Sequence, residues 1–450
     1  MLVLALLLGG TSSRSSAQAG PVRATATDPA LVQRLVARVQ DMARTNDPGL
    51  RAQRADIDAQ RATVGAAGFA SPLTAAVTLS ETPRGQFDQG NVGVAISRSL
   101  RQAPRLRAER RLSADELLRR QSQLTTAERA VRWAVVADLA HAVIARVTDA
   151  RLLAEARYLA AGEDGVRARF GVGDAPFSSV LRVRTERLRV QSDRAAIASD
   201  YRGALLALAG RVQDGRLADG DVYTSLGAVV DSLVAAAAPD VWISTLPAQL
   251  DSAALDSLVE QAAWVQEALS RLARARSDSA LSAAMRMTQI ESTLGIQRVG
   301  QANGGAALGP TLGVSVSLPF TAAAANRAAS AAAVASIGAA ERVVQSARMA
   351  SRAEVRERLA RFDAARSRLA LYDDALLRGA REEREAALSA FRTGGLSLLE
   401  LIDFERALTR ADIGRLTAIA DVITAYADLL SGTSRSNLPE STATSSFTAR

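Results

Sequence analysis

Two acidic residues stand three positions apart in the stretch FRTGGLSLLELID, residues 391–403. Glu400 and Asp403 follow a pair of glycines, and a spacing of three places both carboxylates on one face of a helix. Carboxylates in this arrangement can line a passage and attract cations, or they can stabilise the positive N-terminal end of a helix dipole. The two residues alone leave both roles open.

The composition excludes most catalytic chemistry. The chain of 450 residues contains no cysteine and a single histidine, His141. Disulfide frameworks, thiol catalysis and zinc sites of the usual ligand types are therefore excluded, and His141 alone is available for a Ser-His-Asp triad. We predict a protein that is not an enzyme, with no cofactor and no metal site.

The basic residues do not indicate a nucleic-acid partner. All 55 of them are arginines, and the net charge is +8 at pH 7. They are spread among Glu and Asp along predicted helices, as in residues 352–369, which is typical of solvated coiled-coil flanks. A basic nucleic-acid binder remains an alternative that salt-sensitive DNA binding would reveal.

The ends of the chain differ from its middle. Residues 1–19 combine an apolar run, Leu2 to Leu8, with an Ala-Gln-Ala site, which predicts a signal peptide. Residues 433–450 are polar and predict a disordered tail. The sequence between these ends is expected to hold the folded protein.

The folded part shows the pattern of a duplication. Residues of the first half recur in the second half at one constant spacing: Phe170 with Phe391, Gly173 with Gly394, Arg189 with Arg410, Arg194 with Arg415, Asp200 with Asp421, Ala204 with Ala425 and Leu208 with Leu429. We predict a first repeat over 20–210, with a hairpin at about 71–100 and a turn at about 170–178. A second repeat is predicted over 251–432, with a hairpin at about 287–320 and a turn at about 391–397. Residues 211–250 are predicted to form an irregular connection.

The predicted hairpins alternate apolar and polar residues. In the first, Leu73, Val77 and Leu79 interleave with Thr74 and Thr78. Strands of this length can cross an outer membrane when tilted, with an apolar face for lipid and a small polar face for a lumen. A small soluble sheet is the alternative, but two isolated hairpins between long helices have no evident partner sheet in the chain.

The predicted helices are too long for a compact domain. Neither glycine nor proline occurs from Arg105 to Ala161, and no proline from Thr321 to Arg392. At 1.5 Å per residue the first segment spans roughly 85 Å. Val183, Val190 and Ile197 recur every seven residues, so we expect antiparallel coiled-coil packing.

Three stretches in this duplicated order carry a family resemblance: NDPGLRAQRADIDAQRATVGAAG (46–68), FGVGDAPFSSVLRVRTERL (170–188) and FRTGGLSLLELIDFERAL (391–408). Together they resemble the TolC-like outer-membrane efflux protein family, over nearly everything from Asp28 to Gly432. The resemblance implies a mainly α fold with a β-barrel part. It implies a homotrimer whose four strands per chain close a twelve-stranded transmembrane β-barrel, continuous with a periplasmic α-helical coiled-coil tunnel.

The resemblance also implies a function. Members of this family are exit ducts in the bacterial outer membrane, with a periplasmic helical extension. They are surrounded by outer-membrane lipid and work with a periplasmic adaptor (a membrane fusion protein) and an inner-membrane pump. We therefore expect export of small molecules or metal ions by a tripartite efflux pump. The duct of a type I protein secretion system and a secreted coiled-coil structural protein remain alternatives.

The resemblance assigns roles to the two turns. They become periplasmic tips that meet the adaptor, and the residues at these tips are Gly173, Phe177, Ser178, Gly394, Gly395 and Ser397. The three glycines are expected to permit positive φ there. Glu400 and Asp403 would line the closed aperture. The first repeat has Ser179 and Arg182 at the matching positions, so an acidic ring would come from the second tip alone.

Overall fold

The computed structural model describes residues 28–67, 73–80, 91–100, 103–213, 219–247, 251–285, 289–300, 306–317 and 323–432. The predicted signal peptide and polar tail lie outside these residues. The elements follow in the order α1 Pro29–Asn46, α2 Pro48–Ala66, β1 Thr74–Ser80, β2 Asn91–Leu100, α3 Ala103–Gly171, α4 Phe177–Val212, α5 Asp219–Ala235, α6 Ala238–Thr245, α7 Ser252–Glu260, α8 Ala263–Met285, β3 Gln289–Gly300, β4 Ala306–Ser317, α9 Ala323–Leu371, a π-helical turn Tyr372–Leu376, α10 Leu377–Arg392 and α11 Leu398–Ser431.

The four strands form one antiparallel sheet. They lie in sequence order, β1-β2-β3-β4, so the pairing of β2 with β3 joins the two hairpins. Strands β1 and β4 are the edges of this sheet within the chain. Strand β4 contains Pro310, which an edge strand tolerates because proline lacks a backbone donor.

The strand register gives the sheet two different faces. On one face Val94 pairs with Ile296, and Leu294 pairs with Leu312. These side chains are exposed, Leu312 by 81%. The opposite face carries small or polar residues at the alternate positions: Gly93, Ala95, Ser97, Thr293, Gly295, Gln297, Thr311, Gly313 and Ser315. The sheet therefore presents a broad apolar surface that no other described element covers.

The helices next to the sheet continue the order of its strands. Helix α2 precedes β1, α3 follows β2, α8 precedes β3 and α9 follows β4. Helices α2 and α3, α3 and α8, and α8 and α9 pack against each other. One layer of four helices thus continues the four-stranded sheet.

The longest helix confirms the extended architecture. Helix α3 is 69 residues long, which is roughly 100 Å at 1.5 Å per residue. The first turn connects α3 to α4, and these two helices pack against each other. Helix α11 packs against both α3 and α9. The long helix predicted from Thr321 to Arg392 is interrupted by the π-helical turn at Tyr372–Leu376.

The main hydrophobic core lies midway along the helices, where α1, α3 to α6, α9 and α11 meet. Its buried side chains include Leu139, Leu208, Val230, Phe362 and Ile419. The prediction of an irregular connection over 211–250 is wrong for the part that the structure describes, because α5 and α6 are helical. In α5 an apolar face buries Val222, Leu226, Val230 and Leu233, and this burial attaches the helix to the bundle.

Among the helices in the ranges given above, no single one is long and apolar enough to cross a bilayer. Helices α5 and α6, bent at 70° to each other, meet that requirement only as a pair, and only by length and composition.

The π-helical turn is packed tightly against α11. A Cβ placed on Gly414 would lie 2.5 Å from Cε1 of Tyr372, the first residue of the π-helical turn. The neighbouring Arg415 donates hydrogen bonds to Asp373 in that turn and to Asp240 of α6, the latter at 3.1 Å. The absence of a side chain at Gly414 therefore lets the π-helical turn pack closely on α11, and Arg415 links both to α6.

Replacing Gly414 with alanine tests this packing. Gly414→Ala should lower the free energy of unfolding by about 1–3 kcal/mol, because the tyrosine ring must move out of a filled space. The measurement is thermal unfolding followed by far-UV circular dichroism. Gly338→Ala, inside α9, is the matched control: no neighbouring atom of the described chain lies within 4 Å of a Cβ placed there, so it should stabilise by about 0.5–1 kcal/mol. Equal effects of the two substitutions would contradict the packing argument.

Candidate functional site at the helical turns

Helix α3 ends in a glycine-dependent cap. Gly173 has φ of 78°, in the left-handed region. Its N–H donates to the carbonyl of Phe170 at 3.0 Å, and the N–H of Asp174 donates to the carbonyl of Arg169 at 2.8 Å. These two bonds form a Schellman motif, which satisfies the last carbonyls of the helix.

The second turn repeats this geometry at the end of α10. Gly394 has φ of 79°, and its N–H donates to the carbonyl of Phe391 at 3.1 Å. The N–H of Gly395 donates to the carbonyl of Ala390 at 2.8 Å. The expectation of positive φ at Gly395 is wrong, because the left-handed position is that of Gly394. The first turn carries Asp174 at the position of Gly395, so a side chain fits there.

The two turns differ in the surface they present. Phe170 and Phe177 at the first turn have ring centroids 5.4 Å apart, and both rings are exposed. Val172 beside them is 81% exposed, and Ser178 is exposed next to Phe177. Phe170, Val172 and Phe177 are called the apolar tip below. The glycines of the second turn are exposed without an equivalent apolar surface among the described residues.

Glu400 takes part in a helix cap. The N–H of Ser397 donates to Glu400 Oε2 at 2.8 Å, and the N–H of Glu400 donates to Ser397 Oγ at 3.3 Å. This reciprocal capping box begins α11. The hydrogen bond from the Ser397 backbone lowers the pKa of Glu400 below its usual value. The helix N-terminal role considered for this carboxylate is thus realised, while its side chain stays exposed.

Asp403 lies beside an arginine of the other repeat. Arg182 Nη2 is 3.3 Å from Asp403 Oδ2, and both side chains are at least half exposed. The two residues occupy equivalent positions of the duplicated sequence, on α4 and α11. An exposed pair of this kind contributes about 0.2–1 kcal/mol. Its larger effect here is on charge: with Glu400, the three side chains carry one net negative charge per chain.

A small apolar cluster holds the acidic residues in place. Leu159 of α3, Val183 of α4 and Ile402 of α11 are buried together below the turns. Ile402 Cδ1 lies 3.7 Å from a Cβ placed on Gly162, which lets α3 and α11 approach closely. Because Ile402 stands between Glu400 and Asp403 and points inward, the two carboxylates face outward.

Sequence reasoning missed one buried charge near the first turn. Glu163 of α3 is 3% exposed. Its carboxylate is 2.6 Å from Arg167 Nη2 and 3.0 Å from Arg187 Nε of α4, the second contact being an ion pair without hydrogen-bond geometry. The carboxylate is buried while both arginines are partly exposed, so the ion pair with Arg187 links α4 to α3 at this level. The sequence offered one indication of this ion pair, which is Arg167 four residues after Glu163 on the same helix.

Within the described ranges, no group of three or more His, Cys, Asp or Glu is arranged to hold a metal ion.

Comparison with known proteins places this geometry in a structural class. No protein-family model matches the sequence, and no curated protein matches it. Solved structures do match over almost the whole chain. A membrane protein from Pseudomonas aeruginosa is 18% identical with a TM-score of 0.68, covering 94% of this chain and 96% of that one.

Two outer membrane channels also match this chain. The CmeC outer membrane channel of Campylobacter jejuni is 12% identical with a TM-score of 0.66, covering 94% of this chain and 90% of that one. The MtrE outer membrane channel of Neisseria gonorrhoeae is 15% identical with a TM-score of 0.64, covering 92% of this chain and 93% of that one. The chain therefore has the TolC-like outer-membrane-channel fold, as its motifs predicted.

Alanine substitutions test the two caps. Gly173→Ala and Gly394→Ala should each lower the free energy of unfolding by about 1–2 kcal/mol, because a Cβ is unfavourable in the left-handed region. Gly395→Ala is the control from the same turn and should have almost no effect. Thermal unfolding of the three variants gives the comparison. A loss at Gly395 as large as that at Gly394 would contradict the assignment of the cap.

Proposed function

We propose that this chain is the exit duct of a tripartite efflux pump in the bacterial outer membrane. The observation that carries the proposal is the four-stranded sheet with one exposed apolar face and one small polar face. Residues such as Leu312 and Ile296 would contact lipid. Gly93, Ala95 and Ser315 would line a lumen.

The open edges of the sheet support a homotrimer. In lipid, the unpaired backbone groups of β1 and β4 would each cost several kcal/mol, so the sheet must close. Four strands are too few, because single-chain barrels begin at about eight. Pairing β4 of one chain with β1 of the next, in three copies, gives a twelve-stranded barrel.

The helices support a duct that extends into the periplasm. The helical layer follows directly from the sheet, and α3 extends it by roughly 100 Å. The two turns at its far end would be the tips that meet a periplasmic adaptor, which in turn joins an inner-membrane pump. The apolar tip, Phe170, Val172 and Phe177, supports the first turn as a docking surface. The cargo would be small molecules or metal ions.

Adjacent substitutions on β4 test the membrane role. Leu312→Arg puts a charge on the apolar face and should cost about 2–4 kcal/mol per copy in the bilayer, preventing insertion. Thr311→Arg, on the opposite face, should leave a heat-resistant trimer that floats with vesicles and conducts ions with altered conductance. Flotation, gel mobility without heating and planar-bilayer recording give the readouts. Failure of the native protein to insert, or equal insertion of both variants, would reject the proposal in favour of a secreted helical protein.

The acidic pair would make the aperture selective for cations. Three copies of Glu400 and Asp403 carry six carboxylates, and three copies of Arg182 compensate half of that charge. Glu400→Gln with Asp403→Asn should lower cation selectivity and divalent-cation block in planar bilayers. Arg182→Gln should raise both, because it removes the compensating charge.

The pH dependence follows from the lowered pKa of Glu400. At pH 4.5, the pKa of an unperturbed glutamate, Glu400 is therefore still ionised in more than half of the molecules. It becomes protonated only as the pH falls further. Cation selectivity measured from reversal potentials should therefore persist to about pH 4.5. Unchanged selectivity in all the variants would leave Glu400 as a helix cap and Asp403 as a surface ion pair.

A further inference from the structure

Two arginines lie on the mainly apolar face of the sheet. Arg98 of β2 is opposite Ser292, and Arg298 of β3 lies between Val92 and Leu308 in the register. By strand alternation these arginines share a face with Val94, Ile96, Leu294, Ile296 and Leu312. In the described strands they are the only charged residues on this face.

The two arginines lie near opposite ends of the apolar surface, and Ile290 with Val316 forms the next apolar level beyond Arg98. Arg298 is level with Val92, near the start of β2, and Arg98 lies six positions further along that strand. At 3.3 Å per residue this is roughly 20 Å along the strand. The side chains between them on this face, Val94 and Ile96 with their cross-strand neighbours, are apolar. Arg98 is therefore nearer the helical layer and Arg298 nearer the hairpin ends.

The energetics of a charge on a lipid-facing strand fix where these arginines can lie. A basic residue there costs about 2–4 kcal/mol at the bilayer midplane and about 0–1 kcal/mol near either interface. A sheet that carries two of them reaches its lowest free energy with one at each interface. Because the strands are tilted, the two arginine Cα atoms differ in height by less than the thickness of the apolar band, which is about 25 Å. Their long side chains can extend in opposite directions and so reach both headgroup layers.

The same strands lack the residues that usually lie at these levels. Outer-membrane barrels carry girdles of aromatic residues at both interfaces. None of the four strands, as the structure describes them, contains Trp, Tyr or Phe. A guanidinium group can bind a phosphate through two parallel hydrogen bonds. Such a contact would lie at the depth in the membrane where other barrels carry their aromatic residues.

We propose that Arg98 and Arg298 bind headgroup phosphates of the lipid bilayer, one at each interface, and so set the height of the sheet in the membrane. This inference rests on the proposed function, because it requires the sheet to span a bilayer. It adds a lipid-binding role for two named residues. In a trimer the arginines would form two rings of three.

The test compares lipids with and without phosphate. The dissociation temperature of the trimer is measured in maltoside detergent, in phosphatidylglycerol vesicles and in phosphate-free digalactosyldiglyceride vesicles. The native protein should gain more stability in the phospholipid than in the galactolipid. Arg98→Gln with Arg298→Gln should lose at least half of that difference, and the single variants should each lose part of it.

Glu291→Gln is the matched control. Glu291 pairs with Ser99, one position from the level of Arg98, but it lies on the opposite face of the sheet. This variant removes a charge at nearly the same height and should keep the full phospholipid effect.

Three outcomes would overturn one or the other proposal. An equal phospholipid effect in the double arginine variant and the native protein would overturn the lipid-binding inference. Inorganic phosphate that reproduces the effect in detergent would overturn it too, by showing a free-anion site. Absence of vesicle flotation would reject the proposed function itself.

Discussion

The unpaired backbone groups along β1 and β4 constrain the rest of this structure. Each chain ends its sheet with two open edges, and its apolar face has no cover among the described elements. In water the backbone groups at the edges can form hydrogen bonds with solvent, but the exposed apolar face is unfavourable. In lipid the apolar face is favourable, but the unpaired backbone groups at the edges are unfavourable. In the proposed trimer, closure by further copies of the chain would satisfy both conditions. Because the four helices follow the order of the four strands, the closure proposed for the sheet would also bring the helical layers of the copies together.

The duplication produced two turns with one backbone geometry and different surfaces. Gly173 and Gly394 have nearly equal φ values and matching hydrogen bonds, because each ends a helix by the same cap. The side chains around them have diverged. The first turn exposes phenylalanines, while the second begins α11 with a capping box. Equivalent positions also became an opposite-charge pair, Arg182 with Asp403, which links the repeats and reduces the negative charge beside Glu400.

Much of this fold could be predicted from periodicity and glycine placement. Alternation predicted the strands, the lack of breakers predicted α3, and repeated glycines predicted the turns. Contacts between distant residues could not be predicted. The pairing of β2 with β3, the ring of Tyr372 on Gly414 and the burial of Glu163 depend on the tertiary arrangement. The connection between the repeats was predicted wrongly because its apolar residues become a helix face only when a bundle is there to bury them.

The exclusive use of arginine suits a fold without a spherical core. A helix roughly 100 Å long has few neighbours at any level, so its lateral contacts must be distributed along it. Arginine can bridge two partners through one planar group, as Arg415 does between Asp373 and Asp240. Arginines also pair within one helix: on α3, hydrogen bonds from Arg119 and then Arg120 to the Glu116 carboxylate lower its pKa to about 2. Other arginines join neighbouring helices of the layer, as Arg54 of α2 does with Glu128 of α3 and Arg276 of α8 does with Glu341 of α9. Each such pair contributes little by itself, so their effect lies in being distributed along the helices.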